Sequence, residues 1–79
     1  MAYYLIKAWH PHRGQTEDKP GCLFYGGMIY KYPLSETNKA RIDFCYTSKK
    51  RAERVAMKNS TIYTHCEVVE IPPELVERR

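Results

Sequence analysis

No apolar run in this chain approaches the roughly 20 residues that a helix needs to cross a bilayer. The stretch from Met1 to Trp9 is too short for a secretory signal and is interrupted by Lys7, so neither membrane insertion nor export is expected. Cysteine is sparse and odd in number, with three in all at Cys22, Cys45 and Cys66, and none forms a Cys-x-x-Cys pair. That speaks against a disulfide framework and against the common zinc spacings. The expectation is three reduced, mostly buried thiols of a cytosolic protein. The doublet Gly26-Gly27 is not followed by a helical pattern, which excludes a phosphate-cradling loop. Paired carboxylates and Ser–His–Asp orders are missing as recognisable motifs. His10, His12 and Cys22 do not have helix-paired metal spacing, and Pro11 stiffens the link between the two histidines; they read as surface-loop residues. His65 and Cys66 are neighbours in a strand pattern, where successive side chains point to opposite faces, so they cannot form a nucleophile–base pair with each other. The expected protein is not an enzyme and carries no metal and no cofactor.

What remains is small, basic and rich in tyrosine. Seventy-nine residues make a single domain, with a loop over 10–21 and a tail over 72–79. A chain of this size buries only about 60–65% of its unfolded surface, which leaves little room for a deep cavity. Lys and Arg outnumber Asp and Glu by 13 to 9, for a net charge of +4. That balance permits nucleic acid or an acidic protein surface as partner without requiring either.

The strongest local pattern runs from Tyr46 to Ile71. Thr47 and Ser48 are good N-cap residues, because a hydroxyl can accept from an orphan N–H of the first turn. Ala52, Val55, Ala56 and Asn59 then follow at i, i+3, i+4, i+7 spacing, a narrow stripe suited to lying flat on a sheet. Asn59 and Ser60 stop the helix, Asn being tolerant of the left-handed conformation. Thr61 to Ile71 is dense in β-branched residues and ends at Pro72-Pro73, so it reads as one strand. The helix breaks one rule: Lys49, Lys50 and Arg51 fill its first turn, where the dipole disfavours cations by roughly 0.3–1 kcal/mol each. At about 100° per residue, Lys50, Arg51, Arg54 and Lys58 share one stripe opposite Ala52, Val55 and Ala56. A solvated face is the ordinary reading of such a charge run, and a basic contact surface is the alternative, to which the uncompensated cations at the helix start add weight.

Ahead of the helix, Ala2 to Trp9 is a strand with apolar residues on both sides, hence central. His10 to Gly21 is loop by composition, long enough to suggest function or mobility. Gly26-Gly27 is either a two-residue hairpin turn or a bulge within one strand from Leu23 to Tyr32; the bulge is preferred because Leu23 to Tyr25 is short for an independent strand. Met28 to Leu34 is a strand, Ser35 to Lys39 a polar turn, and Arg41 to Tyr46 a returning strand, which together make a hairpin. Pro73 to Arg79 is a single helical turn with Pro at its first position, or a frayed tail. The fold class is α+β: a small antiparallel sheet of about four strands, in β-β-β-α-β order, covered on one face by a single helix.

One helix leaves the other sheet face without a cover. With seven tyrosines, one tryptophan and two phenylalanines, that face is expected to display aromatic rings, with Tyr30, Tyr32 and Tyr63 as its partner-contacting members alongside Lys50, Arg51, Arg54 and Lys58. Such a surface can anchor a protein partner or stack bases. The segment TSKKRAERVA followed by CEVVEIP resembles the closing helix and strand of many short phage-encoded and mobile-element proteins, some of which inhibit host polymerases or act as anti-CRISPR proteins. The resemblance implies an inhibitor or modulator of a host nucleic-acid-handling protein, working in the bacterial cytoplasm. The charge of +4 departs from the acidic DNA mimics of that group. The second reading is a direct RNA or single-stranded DNA binding module. Bare sheet faces or edge strands also leave a homodimer open.

Overall fold

The computed structural model describes residues 2–78; Arg79, the end of the tail, and Met1 lie outside the described residues. The sheet is built on β1 (Tyr3–Trp9). It pairs antiparallel along its full length with β5 (His65–Ile71), Tyr3 opposite Ile71 and Trp9 opposite His65. On its other side Ile6, Lys7 and Ala8 pair with Phe24, Leu23 and Cys22 of β2 (Cys22–Tyr25). β3 (Met28–Tyr30) extends the sheet beyond β2, giving the order β3-β2-β1-β5. The architecture is the predicted four-stranded antiparallel sheet with one helix, and β1 is its central strand.

Helix α1 (Lys49–Asn59) starts where the sequence places it, with the Ser48 hydroxyl accepting from the Arg51 N–H at 3.3 Å. Ala52 and Ala56 are buried and lie with Ile6 and Tyr46 in one apolar cluster, to which Tyr4, Phe24, Val55, Cys66 and Val68 add. Small side chains let the helix axis come close to the strands, so a short helix still seals this face. It stops at Asn59 and Ser60 as expected, but not by the left-handed conformation that Asn tolerates. Among the described residues none other than glycine takes positive φ. Instead the Asn59 amide donates to the Val55 carbonyl at 2.8 Å and the Ser60 hydroxyl to the Ala56 carbonyl at 2.9 Å, satisfying the last turn with side chains. β5 also begins later than Thr61. The Thr61 hydroxyl accepts from the N–H groups of Tyr63 and Thr64, folding 61–64 into a turn before the strand starts.

Two expectations are overturned between β2 and α1. Gly26-Gly27 is a hairpin turn, not a bulge: Tyr25 faces Met28, and Gly26 takes φ 53° with its N–H donating to the Tyr46 hydroxyl at 3.2 Å. Arg41 to Tyr46 is not a strand and forms no hairpin with Met28 to Leu34. β4 (Ala40–Arg41) pairs in parallel with β6 (Val76–Glu77), and Ile42–Phe44 form a 3₁₀ turn. Tyr46 returns to the sheet only as a single bridge to Tyr4. The alternation of Ile42, Phe44 and Tyr46 looks like a strand, but tertiary packing decides the conformation of so short a segment.

These departures bear on the other sheet face, which is not bare. Tyr3, Leu5, Leu23, Tyr30 and Ile71 are buried there beneath Ala40, Cys45 and Val76, with Leu34, Ile42, Phe44 and Leu75 at the margin. The cover is made of the irregular 34–46 segment and of the tail, whose Pro73–Leu75 form a 3₁₀ turn ahead of β6. The tail is therefore core. Val76→Ala is expected to destabilise the protein by about 2 kcal/mol through lost burial, read from the urea midpoint; a frayed tail would show a change under about 0.5 kcal/mol.

Candidate functional site: the basic face of the helix

Lys49, Lys50, Arg51, Arg54 and Lys58 all project from α1 into solvent. The first turn holds no acidic residue. Among the described residues the one ion pair within 4 Å joins Lys7 to Glu17, at 3.5 Å, on the far side of the sheet, so none of the helix cations has a carboxylate partner. Like charges on one helix face repel, and those in the first turn also oppose the dipole. The arrangement persists because Ser48 caps the N-terminus and the two buried alanines hold the helix down.

The structure brings only part of the predicted site together. Lys50, Arg51, Arg54 and Lys58 share the helix face. Tyr63, 63% exposed, stands in the turn just beyond the helix end. It is tied to the 10–21 loop: the His12 ring meets the Tyr63 ring edge-on at 5.8 Å, and His10 Nδ1 lies 3.3 Å from the Tyr63 carbonyl and 3.1 Å from the Thr64 hydroxyl. The long loop thus braces the helix–strand turn. Composition marks 10–21 as a loop but does not reveal this brace.

The other two tyrosines fall elsewhere. Tyr30 is only 7% exposed and donates its hydroxyl to the Phe44 carbonyl at 3.0 Å, so its ring is core and offers nothing to a partner. Burial pushes its phenol pKa up. Tyr32 is 44% exposed but lies across the sheet from α1, at the lip of a small cleft with Lys7, Glu17 and Leu34. Tyr3 and Tyr46 are buried as well. The continuous tyrosine platform does not exist, because the 34–46 segment and the tail occupy its place. Two exposed apolar residues that sequence reasoning passed over, Met57 and Ile62, flank the helix end. Met57 stands outside the buried stripe, so periodicity alone marks it as solvent-facing.

Among the described residues no three His, Cys, Asp or Glu side chains gather closely enough to hold a metal ion. His65 stacks near Trp9, ring centroids 5.6 Å apart, while Cys66 packs on the helix side of the sheet, as strand alternation requires. All three thiols are free, and burial pushes each one's pKa up, Cys45 to about 11. At neutral pH they are protonated and weakly nucleophilic. Comparison with known families, with curated proteins and with solved structures finds no match to this chain. Among the described residues no helix is long and apolar enough to cross a membrane.

Two measurements follow from this electrostatic picture. Lys50→Glu places an acid where the dipole favours one and is expected to raise stability by about 0.3–1 kcal/mol; a lower urea midpoint would show that the cation is held by contacts the helix relies on. The folded state keeps the Cys45 proton more tightly than the unfolded state, whose thiol has the ordinary value of 9.0. The stability this group contributes is therefore complete below that value and is lost as pH rises through about 11. Urea unfolding between those two pH values should give a shallower decline for Cys45→Ala than for the parent chain. Equal slopes would assign the alkaline loss to other groups.

Proposed function

We propose that this chain is a small non-enzymatic binding protein whose working surface is the outer face of α1, and that it docks on an anionic face of a nucleic-acid-handling protein or of its complex with nucleic acid. The observation that carries the reading is the row Lys50, Arg51, Arg54 and Lys58, exposed and without a carboxylate within 4 Å among the described residues. Such a row is unfavourable to the free protein and gains energy only when an anionic surface covers it. Four cations spaced along one helix suit phosphates or a row of carboxylates, and charge complementarity of this kind speeds association and fixes register. The absence of a bare sheet face moves the contact from the strands to the helix. Masking such a surface on a host polymerase or CRISPR effector, as the likeness of the helix–strand segment to phage proteins implies, belongs to this same proposal.

A second reading, direct binding of RNA or single-stranded DNA, is favoured by one observation. The exposed Tyr63 ring follows closely on Lys58, and a stacking ring beside backbone-tracking cations is how single strands are held.

Titration of a fluorescent single-stranded oligonucleotide at 50 and 200 mM salt separates the two. A direct binder loses affinity log-linearly with salt, and Arg54→Glu with Lys58→Glu should lower that slope by about 1 per contact removed. No binding at 50 mM salt removes the second reading. The first then requires capture of a nucleic-acid-handling protein by the parent chain and loss of capture by the same double variant. Capture that survives both charge reversals would sink it.

A further inference from the structure

β5 is an outer strand of the sheet, and its free edge is open. The direction of its backbone groups follows from one bridge. Tyr4 N–H donates to the Tyr46 carbonyl at 2.8 Å and the Tyr46 N–H to the Tyr4 carbonyl at 2.9 Å, so both backbone groups of Tyr4 point away from β5. Tyr4 stands opposite Glu70. That pair is therefore a non-hydrogen-bonded one, and the N–H and C=O of Glu70 point outward. By alternation those of Val68 and Cys66 do the same. None of these outward groups finds a partner among the described residues. The strand is only lightly guarded: it runs seven residues in unbroken register, with no lysine, no proline and no bulge, and Glu67 and Glu70 are its only charges. Natural sheet edges are ordinarily blunted by one of those devices.

We infer that a second copy of this chain pairs antiparallel along this edge, β5 to β5, joining two four-stranded sheets into one. Outward-facing residues must meet outward-facing residues, which leaves few two-fold registers. The one centred on Val68 overlaps the whole strand. It sets Glu67 opposite Val69 of the second copy and Glu70 opposite Cys66 of the second copy, so no like charges stand directly across. Shifting the centre to Glu67 or Glu70 would set a glutamate against its own counterpart. The helix agrees with this register. A groove runs between α1 and β5, bordered on the helix by Lys49, Glu53, Ala56, Met57 and Ser60 and on the strand by Cys66, Glu67 and Val68. The charges of Lys49 and Glu53 cancel, and Met57 lies 80% exposed there. Of the cationic row, Lys50 lies two turns from Met57 on this side, while Arg51 and Lys58 face elsewhere. A two-fold through the β5 pair brings the second copy's helix alongside this groove, where it covers Met57 and the apolar floor.

The test is the mass in solution by light scattering across roughly 1–200 μM, a range set by ordinary association constants. The parent chain is expected to reach twice its 9.3 kDa mass. Glu70→Pro removes an outward N–H without touching the ladder to β1, and Met57→Glu puts a charge into the helix seam; each should shift the dimer constant at least tenfold toward monomer. Arg51→Glu, about 120° round the helix from Met57, should not. A monomeric parent chain at the highest concentration overturns the inference and leaves the edge to a strand of some other protein. A dimer that survives both edge variants overturns it as well, placing the contact elsewhere. Should Glu70→Pro fail to fold by circular dichroism, Met57→Glu at a position exposed in the monomer decides alone. None of these outcomes depends on whether the helix row binds an anion.

Discussion

The structure depends on β1 being apolar on both faces while paired on both edges. Ile6 points to one side, Tyr3 and Leu5 to the other, and Leu5 and Ile6 are the two large side chains wholly removed from solvent. A strand of that kind cannot sit in a sheet with one wet face, so the chain needs two covers. It has one helix. The second cover is made from segments with little regular structure, the 34–46 stretch and the tail, clamped together by the short parallel pairing of β4 and β6. That pairing links residues far apart in sequence, so the second layer forms only once both ends of the chain are in place.

The first cover is legible in the sequence and the second is not, for a physical reason. α1 announces itself through a cap, a small-residue stripe and a stop, each acting within a few residues. The second layer has no period to read. Ala40, Ile42, Phe44 and Cys45 face the core because the chain turns in 3₁₀ geometry between them, and a turn of this length leaves the same pattern as a strand. The Gly26-Gly27 step shows how much one local choice controls. As a bulge it would leave one long strand; as a hairpin it sends β3 back along β2, sets Tyr30 opposite Leu23 and buries its ring. The candidate site divides along the same line. Its helix residues were readable because helical phase fixes which side they occupy, whereas Tyr30 and Tyr32 depended on strand pairings that sequence alone left open.

Charge is sorted between surfaces. Arg51, Arg54 and Lys58 of α1 look outward, away from the sheet, while Glu67 and Glu70 lie along the exposed β5 strand and only Lys49 of the helix cations borders the same groove as Glu67. In a +4 chain, mixing these groups would have been an easy route to local neutralisation. Keeping them apart leaves one surface suited to an anion and one strand edge that is free of like-charge conflict in a particular self-pairing. Neither feature improves the isolated monomer: unpaired helix cations oppose the dipole, and an unblunted edge invites association.

The two proposed contacts would also act on each other. Pairing through β5 sets two cationic helices side by side on one face of a common sheet, doubling the row available to an extended polyanion. An anion spanning both rows binds the pair more tightly than either chain, since the second contact becomes intramolecular. By mass action the same anion then favours the pair. Self-association would therefore strengthen as the anionic partner is added. On the proposed reading, a partner with charge spread across both helices would be held more tightly than one that reaches a single row, because its second contact costs no further loss of free motion.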